Sequence, residues 1–339
     1  MHPHPWLLNG RTGDAGLYLA APPGPGAILF DCGDLSALPA RHLLRVETLL
    51  VSHTHMDHWA DFDRLLRRLI GRPARLRLVG PAGFATCLFH RLNAYVWNLA
   101  DRIAEDLVFE VTEATTLNTP WPRTRFRLRG GFAPEPLPPC PATPDGTALR
   151  QGSLRIRAAV LDHGTPCLGF AVAQDRQVNI LPEALAARGL PPGPWLTALK
   201  RAVAEDAADD RPVPLPAGAA VPLGTLRDLV AVAPGQRIAY LTDLADTPAN
   251  RAAAIGLARD ADILFIEATF AAADAALAAD RRHLTTTAAG AIARAAGALR
   301  VEPFHFSPRY QGQAARLLAE VAEAAGPDVA MPDRAMPTG

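Results

Sequence analysis

Three histidines and an aspartate fall within six residues, His53-Thr54-His55-Met56-Asp57-His58, and no other stretch limits the fold as strongly. An apolar, strand-like run, Glu47-Thr48-Leu49-Leu50-Val51, precedes them. Behind them Leu65, Leu66 and Leu69 recur at helical spacing within Phe62–Leu69. The cluster therefore belongs on a strand-to-helix turn, where side chains can converge on one point. Imidazole and carboxylate suit zinc and related divalent metals. Four such ligands on one short turn exceed what one ion can use. His53 and His55 can face one ion, and Asp57 and His58 a neighbouring one. A solvated polar loop is the alternative, but packing gives no reason for this density of ligand types.

The chain has 339 residues, which suits one large α/β domain or two small ones. Hydrophobic residues make up 49% and aromatic residues 6%, so alanine and aliphatic side chains must fill the core. The formal net charge is zero. That excludes a global basic field for nucleic acid, and an anionic partner must be held locally. Cys32, Cys87, Cys140 and Cys167 include no Cys-x-x-Cys pair and read as buried thiols in a reducing compartment. Cys167 stands close to His163, so a thiolate role is the alternative for it. No basic region followed by an apolar run opens the chain, and no apolar run approaches the length of a membrane span. A soluble cytoplasmic protein is expected.

Residues 1–35 predict two short strands joined by the turn Ala21-Pro22-Pro23-Gly24-Pro25-Gly26, the second strand running from Ala27 to Asp31. A helical turn at 39–44, the strand at 47–51, a helix at 60–70, a strand at 75–79 and a helix at 82–99 follow. This alternation predicts an α/β sheet. Arg123, Arg125, Arg127 and Arg129 alternate with Thr124, Phe126 and Leu128, so period two puts four guanidiniums on one strand face. A phosphate-facing stripe and a solvated outer face both fit, and the second is the commoner. Residues 134–145 form a proline-rich connector. Strands at 153–161 and 167–172 come next. Residues 174–235 then interrupt the sheet as an arm-like excursion with short helices at 182–188 and 195–204. Regular alternation resumes with strands at 237–241, 262–266 and 299–304 and helices at 248–259, 285–296 and 311–325. The two halves predict two sheets packed face to face with helices outside.

Further ligand types stand at strand ends, where α/β sheets place their sites: His163, Asp243 and His305. Taken with the first turn, they complete two metal shells. In the order His53-x-His55-x-Asp57-His58, His163, Asp243, Glu267-Ala268-Thr269, His283-x-Thr285 and His305-Phe306-Ser307-x-Arg309-Tyr310, the chain resembles a metallo-β-lactamase-fold hydrolase of the tRNase Z branch. Gly189-Leu190-x-Pro192-Gly193-Pro194 followed by Leu199-Lys200 resembles the start of that family's protruding arm.

The resemblance implies a single domain, 1–339, built as a four-layer αβ/βα sandwich with an inserted arm, and two zinc ions for which manganese or iron could substitute. It implies that His53, His55 and His163 hold the first ion, that Asp57, His58 and His305 hold the second, and that Asp243 bridges them. Asp57 would also orient an attacking metal-bound hydroxide. Glu267 and His283 resemble the family's proton-donating pair, and Ser307 and Arg309 would donate to phosphate oxygens. A surface carboxylate for Glu267 and a supporting salt bridge for Arg309 are the plainer readings. A homodimer is also implied.

The sequence departs from the family at Asp31-Cys32-Gly33-Asp34-Leu35-Ser36, where a glycine-threonine turn is missing, at Trp59-Ala60-Asp61-Phe62 and at Gly169-Phe170. Its arm carries Glu205, Asp206, Asp209 and Asp210, which would repel an RNA backbone. The first reading is a dinuclear zinc phosphodiesterase acting on a phosphodiester, with removal of 3′ trailers from precursor tRNA as the substrate the resemblance implies. A hydrolase of small phosphodiesters or cyclic nucleotides is the second. A catalytically silent binding scaffold is a third, and a hydrolase of lactams or thioesters, in which the Glu267 and His283 pair has no job, a fourth.

Overall fold

The structure, a computed structural model, describes residues 3–20, 26–116, 119–141, 143–216 and 218–332. All of the expected turn at 21–26 except Gly26 lies outside the described residues. Two compact units emerge, residues 1–172 with 237–339, and residues 173–236.

In the larger unit, eight strands make one sheet in chain order: β1 (His4–Leu7), β2 (Leu17–Ala20), β3 (Ala27–Phe30), β4 (Val46–Leu50), β5 (Ala74–Pro81), β6 (Leu107–Ala114), β7 (Trp121–Arg127) and β8 (Glu135–Cys140). Pairing is parallel from β3 to β6 and antiparallel at both edges. Then come β9 (Thr147–Gln151), β10 (Leu154–Asp162) and β11 (Pro166–Gln174). The smaller unit contributes four short strands, β12 (Gln177–Ile180), β13 (Pro212–Pro214), β14 (Ala220–Pro222) and β15 (Val230–Ala233). Finally β16 (Arg237–Leu241), β17 (Ile263–Glu267) and β18 (Val301–Phe304) complete a six-stranded sheet in the order β18-β17-β16-β11-β10-β9.

Side-chain alternation sorts this unit into layers. Ile28 and Phe30 of β3, with Leu17, Leu50 and Val79, pack against Ile156, Phe170, Tyr240 and Phe265 of the second sheet. Ala27 and Leu29 point the other way, onto the helices Phe62–Leu69 and Phe84–Leu92. Ala239 and Leu241 of β16 likewise turn outward onto the helices Pro248–Ala258, Thr286–Ala296 and Ala314–Ala325. Strands buried on both faces read as continuous apolar runs, as these do. The result is helix, sheet, sheet, helix: the expected four-layer sandwich. Among the described residues no helix is long and apolar enough to cross a membrane.

Local expectations failed in identifiable ways. The N-terminal region holds three strands rather than two, because β1 adds an antiparallel edge to β2. The helix expected at 82–99 stops at Leu92: the Asn93 side chain donates to the Phe89 carbonyl and Trp97 Nε1 to the Leu92 carbonyl, closing the last turn. The proline-rich connector contains β8, which tolerates Pro136, Pro138 and Pro139 because it is an edge strand. Only three of the four alternating arginines lie on β7. Arg129 sits in the following turn, its guanidinium donating to the Ile103 carbonyl. Arg123 and Arg125 converge on the nearly buried Glu110, at 3.6 and 3.1 Å, and Arg127 pairs with Glu135 at 2.9 Å. That stripe is an ion-paired sheet face.

The smaller unit has its own core, built on Trp195 and Leu199 of the helix Trp195–Ala204 with Leu185, Val213, Leu223 and Leu226. Its acids are largely spent inside it. Arg211 meets Glu205 and Arg227 meets Asp209 at 2.6 Å, Arg188 meets Asp228 at 2.6 Å, and Arg176 approaches Asp206 at 3.6 Å.

Candidate metal centre

Each ligand stands just beyond a strand's C-terminal end. Parallel chain direction carries the ends of β3 and β4, and of β16, β17 and β18, to one edge of the sandwich, and β10 ends beside them. Asp31 follows β3, the His53 turn follows β4, His163 follows β10, Asp243 follows β16 and His305 follows β18, while Glu267 is the last residue of β17. Asp31, Asp243 and His305 have φ of 51°, 47° and 59°. Non-glycine residues rarely sit there, and such strain concentrates at functional sites. Gly33 answers a different constraint. A Cβ on it would lie 1.8 Å from the Asp57 carbonyl, so only glycine lets this turn close on the metal turn.

Asp243 is the hub. Its Oδ2 lies 3.6 Å from His53 Nε2, 3.2 Å from His58 Nε2 and 3.7 Å from His163 Nε2, and its Oδ1 is 3.3 Å from His305 Nδ1. Asp57 Oδ2 lies 3.2 Å from His305 Nε2 and 3.5 Å from His58 Nε2. Two donor groups result, His53, His55, His163 and Asp243, and Asp57, His58, Asp243 and His305, the donor atoms within each lying within 4.8 Å of one another. These are the seven residues that the family resemblance implies as ligands of two ions.

Several rings are fixed from behind. His58 Nδ1 donates to Asp31 Oδ2 (2.9 Å), His163 Nδ1 to the Arg282 carbonyl (2.8 Å), and His53 Nδ1 lies 3.1 Å from the Ser52 hydroxyl. Each leaves Nε2 facing the centre, as second partners of metal-ligating histidines do. Nε2 of His53 and of His58 are buried and make no hydrogen bond. Buried polar atoms are rarely left so, and a bound divalent ion would satisfy both. The residues therefore fit a dinuclear metal site.

The electrostatics agree. Burial pushes the His53 ring down to about 2, and the neighbouring His58 adds to the effect, so it stays a neutral donor. Burial and then His163 lower His55 as well. Burial opposes charge on Asp57, but a hydrogen bond with His305 and the nearby His58 ring hold its carboxyl well below the usual range. For Asp243 burial is likewise outweighed, by His305 and His58. Burial disfavours charge on His58 and His305, yet Asp243 carries both above the ordinary imidazole value. Two anionic carboxylates, Asp243 buried and Asp57 partly exposed, favour positive charge, which divalent ions would supply in place of protons on those rings.

A third group, Asp243, Glu267, His283 and His305, also has metal-like spacing. Its carboxylate is already engaged. Glu267 Oε1 accepts from the Leu244 amide at 2.8 Å, and Oε2 accepts from the Thr269 hydroxyl at 2.5 Å and from His283 Nδ1 at 3.1 Å. Glu267 is buried, not a surface carboxylate. Burial opposes charge on His283, but Glu267 wins and pushes it up to about 9. The pair therefore holds a proton at neutral pH.

His55, Asp57, His163, His283 and His305 line a cleft of about 600 Å³ that also takes in Ser307 and Arg309. The Ser307 amide donates to the Thr269 carbonyl at 3.0 Å, and Arg309 is exposed beside the Tyr310 ring. Among the described residues Arg309 makes no ion pair, so the salt-bridge reading for it fails. Cys167 is no thiolate: burial, then Asp243, drives its thiol well up, and Sγ donates to the Thr242 carbonyl at 3.3 Å. Sequence reasoning missed Asp14 and Arg281, which also line the cleft, and Asp31, Ser52 and Tyr240 behind it. Asp31 could have been suspected as the last polar residue of an apolar strand; the others carry no sequence signal. Where the glycine-threonine turn is missing, the Ser36 amide and hydroxyl donate to Asp34 at 2.7 and 2.9 Å, and Asp61 accepts from the Leu35 amide, so a self-contained turn replaces it.

Fold and site together define a metal-dependent hydrolase of the metallo-β-lactamase fold. No family model matches the chain. A ribonuclease Z of Deinococcus radiodurans is 35% identical over 329 residues, covering 95% of both chains. A ribonuclease BN of Cronobacter sakazakii is 32% identical over 326 residues, 93% of this chain and 86% of that one. The crystal structure of the short form of human tRNase Z shares the fold with a TM-score of 0.55 at 14% identity, over 97% of this chain and 96% of that one. The chain belongs to the ribonuclease Z and ribonuclease BN branch of the metallo-β-lactamase-fold hydrolases.

Proposed function

We propose that the protein is a dinuclear zinc phosphodiesterase that removes 3′ trailers from precursor tRNA. The observation that carries the reading is the Glu267–His283 pair beside two complete ligand groups. A thiolate leaves a thioester unprotonated, which gives a held proton at that place no task. A diester with an alkoxide leaving group requires one.

His53, His55 and His163 would hold one ion, Asp57, His58 and His305 the other, with Asp243 between them. An all-nitrogen-and-oxygen donor set suits zinc, and also manganese or iron. Bound there, the two ions would supply a nucleophile at neutral pH and positive charge against the phosphate. The chain's own residues do the rest. Asp57, kept anionic and partly exposed, orients the attacking water. Ser307 and Arg309 donate to the non-bridging oxygens, Arg309 through a planar fork suited to phosphate. His283 is tied to Glu267 through Nδ1, so Nε2 carries the proton delivered to the leaving oxygen. Homodimerisation belongs to the same reading and is checked by sedimentation equilibrium.

The smaller unit favours a second reading. Residues 173–236 carry six basic and seven acidic side chains, and the ion pairs within the unit consume most of both. Such a unit offers little counter-charge to RNA, which suits a small phosphodiester or cyclic nucleotide. The test is a paired assay on protein of known metal content, with precursor tRNA in one arm and bis(p-nitrophenyl) phosphate in the other, each with and without chelator. Chelator-sensitive cleavage at the 3′ trailer supports the first reading. Cleavage of the small diester alone transfers support to the second, and cleavage of neither overturns both.

A further inference from the structure

The arginine stripe on β7 is paired but not neutralised. Cross-strand register sets rows of side chains on one face of the first sheet. Arg77, Glu110, Arg125 and Glu135 stand side by side across β5, β6, β7 and β8, and Arg75, Val108 and Arg127 form the neighbouring row. Arg123 lies on the other side of the first row, opposite Thr112. Arg77 donates to the Arg150 carbonyl and to Gln151 Oε1 of β9, the edge strand of the second sheet, so its guanidinium is turned into the protein. Beyond that contact the face is open: Arg75 and Arg127 are exposed, and Arg123 and Arg125 half-buried.

We propose that this open face binds the phosphodiester backbone of RNA and holds the body of the substrate while its scissile phosphate sits in the metal cleft. The inference deepens the precursor-tRNA reading above and rests on it. Charge is the first argument. Glu110 is shared by Arg75, Arg123 and Arg125 at 3.6, 3.6 and 3.1 Å, and Glu135 serves Arg127. Among the described residues of these rows, four outward guanidiniums thus face two carboxylates, a surplus of two positive charges. Only Arg125 is near enough to Glu110 to donate a hydrogen bond, so most N–H groups of Arg75 and Arg123 remain for another acceptor. A planar guanidinium fork suits a phosphate.

Spacing and position are the second and third. Arg123, Arg125 and Arg127 recur at every second residue, about 7 Å apart along the strand, close to the step between successive phosphates of an extended strand. Leu50, Val79, Thr112 and Arg123 lie in one row across four strands, and Leu50 stands three residues before His53. Strand spacing then puts Arg123 about 14 Å from the strand that carries the metal turn. A polynucleotide entering the cleft therefore has phosphates within reach of this face a few nucleotides from the scissile bond. The smaller unit, whose charges are spent on one another, leaves the backbone to be held elsewhere. Contacts of this kind position a nucleic acid without reading its bases.

The test exploits the Arg127–Glu135 pair. Arg127→Gln and Glu135→Gln break the same 2.9 Å contact but change the charge of the face in opposite directions. Holoenzymes of both are assayed on precursor tRNA across a salt series, and on bis(p-nitrophenyl) phosphate, which is too small to span from cleft to face. Hydrolysis of the small diester should be unchanged in both, which reports an intact fold and centre. On precursor tRNA, Arg127→Gln should raise KM and flatten the slope of log kcat/KM against log salt by about one, and Arg75→Gln should act in the same way. Glu135→Gln should lower KM and steepen the slope. Shifts of the same sign in the Arg127 and Glu135 variants, or no shift in either, would overturn the surface while cleavage of precursor tRNA by the wild type still stands. No cleavage of precursor tRNA by the two-metal wild type would overturn the tRNA reading and the surface with it.

Discussion

His58 Nδ1 donates to Asp31 Oδ2 over 2.9 Å with both side chains fully buried, and the same oxygen accepts from the Tyr240 hydroxyl at 2.9 Å. Asp31 thus fixes both the tautomer and the direction of a metal-facing ring without touching the centre itself. Asp31→Asn keeps the shape and removes the charge. We expect divalent-metal affinity to fall about 10–100-fold, with Tyr240→Phe costing less. Competition titrations against a chromogenic chelator read this directly. Unchanged affinity in Asp31→Asn would show that Ser52 alone orients the turn.

Asp243 reaches four ligand rings, so its loss damages both donor groups at once. Asp243→Ala should bind fewer than two ions per chain and hydrolyse no diester, as measured by elemental analysis and assay of one preparation. Full occupancy with lost activity would move Asp243 from ligand to catalytic group.

His283 should separate metal binding from proton transfer. His283→Ala keeps two ions and loses about 10²–10⁴-fold in kcat on diesters with alkoxide leaving groups, and far less on bis(p-nitrophenyl) phosphate, whose nitrophenolate leaves unprotonated. The pH profile carries the same signature. Glu267 raises the ring to about 9, so the donor is charged below that value and alkoxide-ester hydrolysis declines as pH climbs through about 9. The linkage has the same sign for stability: the ring's contribution is complete below its ordinary value of 6.5 and disappears as pH rises through about 9. Loss of metal in His283→Ala would contradict the assignment.

Arg11 ties the loop that carries Asp14 to the opposite sheet. Its guanidinium donates to Glu302 Oε2 at 2.9 Å, and its carbonyl accepts from the Phe306 amide at 2.7 Å. Glu302 is almost fully buried but keeps Arg300 as a second partner. Arg11→Ala should therefore cost about 3 kcal/mol, the low end for a broken buried pair. Urea denaturation of the chelated protein measures it without metal linkage.

Much of this centre was legible in the sequence. Ligands placed just past strand ends need only the strand pattern and chain direction to converge, and His53, His163, Asp243 and His305 all follow that rule. Asp31 and Tyr240 act together across 209 residues of chain, and no local pattern encodes which hydroxyl meets which carboxylate. The Arg282 carbonyl behind His163 is a main-chain atom presented by a left-handed residue, with φ of 58°, and is invisible to residue-type reasoning. The partner of the arginine stripe was not legible, because period two predicts a face but not what meets it. Glu110 lies on the neighbouring strand, paired in register with Arg125.

The most direct measurement is a metal titration of chelator-stripped protein, following zinc bound per chain and hydrolysis of bis(p-nitrophenyl) phosphate in the same samples. The account predicts that activity is absent in the stripped protein, rises with zinc and levels off at two ions per chain. Two ions bound with no hydrolysis, or full activity in the stripped protein, would contradict a dinuclear phosphodiesterase.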